Sequence, residues 1–123
     1  MPSAEQITGV VNRYISLVNS GTADELVELY ADDATVEDPV GGEVHIGREA
    51  IRGFYSMIPA GDNATELFTL RALGQEAAFY WALTVALGEN RVRIEIISTM
   101  TFNHDGKIAS MKAYWGPDDV KPA

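Results

Sequence analysis

The apolar positions change period along the chain. From Ile7 they recur at helical spacing through Val10, Val11, Tyr14, Ile15 and Val18. Ser3 with Gln6 forms a capping box ahead of that run, and Asn19-Ser20-Gly21 stops it. Thr22 with Glu25 makes a second capping box and predicts a short helix through Leu26, Val27, Leu29 and Tyr30. The two together read as a helical hairpin. A third helix from about Arg48 presents Ile51, Phe54, Tyr55 and Ile58 on one stripe and ends at Pro59 and Gly61.

After residue 64 the period becomes two. Thr65 to Leu73 reads as a strand, with Leu67 and Thr69 opposing Phe68 and Leu70, and Gly74-Gln75 breaks it. Glu76 to Leu87 is a long apolar strand carrying Phe79, Tyr80 and Trp81, closed by a Gly88-Glu89-Asn90 turn. Arg91 to Phe102 alternates most clearly: Val92, Ile94, Ile96, Ser98, Met100 and Phe102 share one face. The other face is polar except for Ile97. Ser98 is therefore the lone polar side chain on a buried face, and it must find a partner in backbone or face a cavity. Asn103-His104-Asp105-Gly106 is a hairpin turn, and Lys107 to Trp115 is the final strand, with Ala109, Met111, Ala113 and Trp115 on its apolar face. The polar tail from Pro117 is expected to fray. Three helices followed by successive strands predict an α+β fold, a cone-shaped curved antiparallel sheet packed by three N-terminal helices.

Composition narrows the function. The 123 residues fit one domain with one core, spanning 1–123. The net charge of −9, with only nine Lys and Arg in all, disfavours nucleic acid, an anionic membrane surface and a highly anionic substrate. There is no cysteine, so a thiol nucleophile and a thiolate metal site are excluded, and a reducing, cytoplasmic location fits. Residues 1–20 lack a basic segment followed by an apolar run, and no stretch of apolar residues is long enough to span a bilayer. His45 and His104 sit in loop contexts without metal-ligand spacing, and both read as surface residues. No phosphate-binding glycine loop or serine-nucleophile motif occurs, so neither a cofactor nor a metal is expected.

The densest chemistry lies in Tyr30-Ala31-Asp32-Asp33-Ala34-Thr35-Val36-Glu37-Asp38-Pro39, five ionisable side chains of which four are carboxylates. Pro39 biases Asp38 towards extended backbone, so Asp38 ends a strand, either as a turn initiator or as a fixed base. Asp32 and Asp33 read as solvated carboxylates or caps, and alternation turns Glu37 away from Asp38. Tyr14, Asp38, Trp81, Ser98 and Trp115 are all placed to converge inside the cone.

These residues carry a resemblance. Arg13-Tyr14, the run Ala31 to Pro39, Ile51 to Tyr55 with its Phe-Tyr pair, and Ser110-Met111-Lys112-Ala113-Tyr114-Trp115 resemble bacterial Δ5-3-ketosteroid isomerase, of the nuclear transport factor 2-like superfamily, over about residues 6 to 116. The resemblance implies Asp38 as general base and Tyr14 as oxyanion donor, with Tyr30 and Tyr55 extending a hydroxyl chain from Tyr14. It implies Phe54, Trp81, Met111, Ala113 and Trp115 as steroid-binding positions, a steroid ketone as substrate, and a homodimer through the outer sheet face. In one place the sequence departs from the family: Ser98 stands where familiar members carry a protonated aspartic acid as second oxyanion donor. A serine hydroxyl also donates one hydrogen bond, without needing a raised pKa. Two alternatives stand beside this reading. One is another enolising enzyme on the same fold, a dehydratase or cyclase. The other is a non-catalytic domain that binds hydrophobic ligands.

Overall fold

The first two helices begin where their caps place them. In the computed structural model, which describes residues 1–59 and 63–123, helix α1 spans Ala4–Ser20. Ser3 Oγ accepts from the Gln6 amide at 3.1 Å, and Gln6 Oε1 accepts from the Ser3 amide at 2.7 Å. At the other end the Gly21 amide donates to Leu17 O at 2.7 Å. A Cβ on Gly21 would lie 2.9 Å from the Leu17 backbone oxygen, so the close approach requires glycine. Helix α2 is short, Ala23–Val27, with Thr22 and Glu25 as its capping box.

Tyr30 departs from expectation. It does not end α2 but opens strand β1, Tyr30–Glu37. Its helical spacing from Leu26 is overridden by long-range pairing: Ile108 donates its amide to Leu29 O at 2.9 Å, and Tyr30 lies opposite Ile108. A register shift between Tyr30 and Thr35 turns Asp32 and Asp33 out to solvent while Ala34 and Val36 are fully buried. A short strand β2, Val44–Ile46, folds back antiparallel on the end of β1, where only a turn was expected. Gly47, at φ +89°, leads into helix α3, Arg48–Ser56. The Arg48 guanidinium ties α3 back to Val27 O at 3.0 Å. Of the two expected stops of α3, Gly61 lies outside the described residues.

Strands β3 (Ala64–Leu73), β4 (Glu76–Leu87), β5 (Asn90–Phe102) and β6 (Ile108–Tyr114) follow as antiparallel neighbours. The tail does not fray. A 3₁₀ turn, Pro117–Asp119, leads to strand β7, Val120–Pro122, which pairs with the first half of β5 along the edge whose second half carries β6. The sheet order is β2-β1-β6-β5-β4-β3. One correction applies to the expected all-antiparallel sheet: β1 runs parallel to β6, because the chain crosses over through α3 and three strands before returning beside β1. The architecture is α+β, three helices on a curved, unclosed mixed sheet.

The helices bury Ile7, Val11, Tyr14, Val18 and Ile51 against Phe79, Trp81, Met100 and Met111 of the sheet. Each such large side chain contributes about 1.5–3 kcal/mol through burial. On β5 the predicted face is the inner one: Ile96, Ser98, Met100 and Phe102 are buried, and Ile97 on the opposite face is 53% exposed. Between the helices and the wide end of the sheet the core stops short of closing, and a cavity remains.

Candidate active site

The cavity has a volume of about 550 Å³, within the range of about 300–1,000 Å³ that small-molecule sites occupy. Tyr14, Asp38, Phe54, Trp81 and Trp115 line it, together with aliphatic side chains such as Val18, Leu83, Val85, Ile94 and Ile96. Each has a positional reason. Tyr14 and Val18 are on the buried stripe of α1, Trp81 and the other aliphatics are on the inner faces of β4 and β5, and Phe54 is on α3.

Asp38 follows the last residue of β1, just before a tight turn. The Gly42 amide donates to Pro39 O at 3.0 Å, the Val40 amide to Ala113 O at 2.8 Å, and the Gly41 amide to Glu37 Oε2 at 2.9 Å. The Asp38–Pro39 peptide is cis. Glu37 is thus spent on the turn, while its neighbour Asp38 faces the cavity. Trp115 Nε1 donates to Asp38 Oδ1 at 2.7 Å. Burial pushes the Asp38 carboxyl above the usual carboxylate range. The Trp115 bond opposes that push, and the charge of His45 opposes it further.

Tyr14 is 1% exposed and meets Phe79, Trp81 and Tyr55 edge-on, with ring centroids 6.0–6.3 Å apart. Burial, and then the Asp38 charge, hold its hydroxyl well above the ordinary phenol range, so Tyr14 is a neutral donor. Tyr55 donates to Tyr14 at 3.3 Å, and Tyr30 and Tyr55 lie 2.5 Å apart. A phenol has one proton to give. With the Tyr55 proton on Tyr14, the Tyr30 proton goes to Tyr55, and the Tyr14 proton is left for the cavity.

Of the remaining predicted residues, Ser98, Met111 and Ala113 do not line the cavity. They lie in the core behind it, each 1% exposed or less. Ser98 Oγ accepts from Trp81 Nε1 at 3.0 Å, so its partner is the indole that walls the cavity. Met111 fills the core beneath the helices, and Ala113 offers its carbonyl to the turn after Asp38. His45 is the residue the sequence reading missed. It lines the cavity, with its ring 4.8 Å from that of Phe54. The available signal was the Val44-His45-Ile46 alternation, which puts His45 on the opposite side of β2 from its two neighbours. Asp32 is exposed, 3.5 Å from the Arg48 guanidinium.

A helix-covered curved sheet around an apolar cavity, with the Asp38 carboxylate and the Tyr14 phenol on its wall, defines an α+β roll of the nuclear transport factor 2-like class. Comparison with known proteins agrees. Residues 11–111 match the SnoaL-like domain, and the chain belongs to that family. It is 40% identical to the steroid Delta-isomerase of Nocardioides simplex, with 94% of each chain aligned. It is 28% identical to the epoxide hydrolase LasB of Streptomyces lasalocidi, covering 97% of this chain and 50% of that protein. Among solved structures it superimposes on SalBIII, an epoxide hydrolase/cyclase-like enzyme with a role in pyran ring formation in the polyether salinomycin. The TM-score is 0.89, with 30% identity and full coverage of both chains.

Proposed function

We propose that the protein isomerises Δ5-3-ketosteroids to Δ4-3-ketosteroids by intramolecular proton transfer through a dienolate. The observation that carries this reading is the pairing of Asp38 and Tyr14 on one apolar cavity, each held by its own hydrogen-bond partner. Asp38 takes a proton from the carbon between the ketone and the double bond, and returns it two carbons away. Tyr14 donates to the ketone oxygen as negative charge develops there. A fixed donor in a site that excludes water stabilises that charge without reorganising. The apolar walls hold the ring system so that one carboxylate reaches both carbons. Ser98, expected as a second donor, lies behind the cavity wall and enters the scheme through Trp81, whose indole it holds in place. No step calls for a redox cofactor or a metal.

We assign the biological unit as a homodimer through the outer sheet face, in a cytoplasmic, steroid-metabolising setting. A row of large side chains crosses that face: Phe68 stacks on Tyr80 at 4.8 Å, Tyr80 is opposite Ile97, and Ile97 is opposite Tyr114. Phe68 is the extra residue of a bulge, which turns it to the outside beside Tyr80.

The test is ultraviolet absorbance of a β,γ-unsaturated 3-ketosteroid as the conjugated enone forms, with Asp38→Asn alongside. Rapid turnover that collapses in the variant supports the reading; binding without turnover rejects the reaction. The likeness to SalBIII favours one second reading, acid–base opening or cyclisation of an epoxide in the same cavity. Turnover of an epoxy-alcohol, with none of the steroid, supports that instead.

A further inference from the structure

His45 stands in the site with no part in the scheme above. Strand β2 sets it opposite Val36, two residues from Asp38 on β1. Its ring lies over Phe54 of α3, tilted by 35°, and it forms part of the same cavity wall as Asp38. The other ionisable side chains on that wall, among the described residues, are Tyr14, Asp38 and Glu43. His45 is thus the one wall residue able to carry positive charge.

The elements packed against β2 offer it no competing partner. On α3, Arg48 is turned to Glu28 and Asp32, and Arg52 to Asp24. Glu49 is exposed, and Tyr55 is in the buried hydroxyl chain. On β1, Glu37 is engaged by the Gly41 amide. The charges left facing His45 are the carboxylates of Asp38 and Glu43.

We propose that His45 is a positioning residue for the base: an imidazole pinned on Phe54 that, once protonated, keeps Asp38 ionised on the acid side of neutrality and widens the pH range of the site. It acts on Asp38 electrostatically, and its catalytic meaning rests on Asp38 being the base. An isolated carboxylate in an apolar cavity protonates early as pH falls. A cation on the same wall favours the charged form of a carboxylate, so a protonated His45 opposes that loss.

The experiment follows the Asp38 carboxyl carbon by ¹³C NMR titration in the full chain, its signal assigned by its loss in Asp38→Asn. His45→Gln and His45→Lys are compared with the unmodified protein. In His45→Gln the Asp38 midpoint should rise by about half a pH unit or more, and His45→Lys should restore it. The acid limb of kcat/KM on a steroid should follow the same order, whatever the height of each plateau. An unchanged midpoint in both variants would overturn the proposal and leave His45 as packing for Phe54. The titration needs no turnover. A shifted midpoint in a protein inert to the steroid would uphold the electrostatic role of His45 and reject the isomerase reading.

Discussion

Replacing Trp115 with phenylalanine removes the hydrogen bond to Asp38, which makes it the sharpest probe of the proposed base. The indole donates to Asp38 Oδ1 at 2.7 Å, a short bond to a charged acceptor. Bonds to charged groups are worth about 1.5–3 kcal/mol, and about the lower figure suits a carboxylate that keeps some solvent contact. At about 1.4 kcal/mol per tenfold, losing the bond raises the Asp38 pKa by about one further unit. The acid limb of kcat/KM should therefore move up by about one unit, and activity well below the limb should fall about tenfold relative to the plateau. Stability gives an independent check. A carboxyl whose pKa is raised by folding costs nothing at low pH, and the fold loses stability as pH rises through that raised pKa. In Trp115→Phe the loss is larger. Denaturant unfolding at about pH 7 should show about 1.4 kcal/mol more destabilisation than at about pH 3.5, while the packing lost with the indole counts equally at both. A pH limb and a stability difference that both stay in place would refute the assignment of Trp115 as the group that keeps Asp38 ionised.

Three further outcomes are expected. Tyr14→Phe should lower kcat about 100- to 1,000-fold with the cavity intact, read by steroid turnover and by fluorescence titration of steroid binding. Ser98→Ala should cost kcat far less than Tyr14→Phe. It should also destabilise the fold by about 1–3 kcal/mol in thermal or urea unfolding, because the buried Trp81 indole loses its acceptor. Ile97→Glu places a charge in the middle of the outer row between Tyr80 and Tyr114, and sedimentation should show the proposed dimer shifted to monomer with kcat retained by the folded chain.

What could be read from the sequence was whatever is encoded locally. Both capping boxes, the buried face of β5 and the outward-facing Ile97 follow from spacings of three, four and two residues, and the structure has them. What escaped depends on partners far away in the chain. Tyr30 has helical spacing but joins β1 because β6, most of the chain later, pairs beside it. The polar tail becomes β7 because β5 extends beyond the end of β6 and leaves an edge to fill. Periodicity also tells which face is buried, not what it is buried against. Met111 on β6 and Trp115 just past its end share one alternation, yet Trp115 borders the cavity and Met111 the core. His45 was misplaced for the same reason: its short strand exists only as a partner of β1.

Tyr14 and Asp38 feel the same burial and need opposite results from it. Desolvation favours the neutral form of both. For a hydrogen-bond donor that is the working form, and around Tyr14 a hydroxyl partner and aromatic edges suffice. For the base proposed here it is the idle form, and Asp38 has an indole donor on one oxygen and a histidine on the same wall. Ser98 stands outside that division: it lies in the core behind the wall, and its oxygen holds the Trp81 indole. The polar groups that distinguish this cavity from a plain apolar pocket are thus concentrated around the carboxylate, where a proton-transfer site needs them and a binding pocket would not.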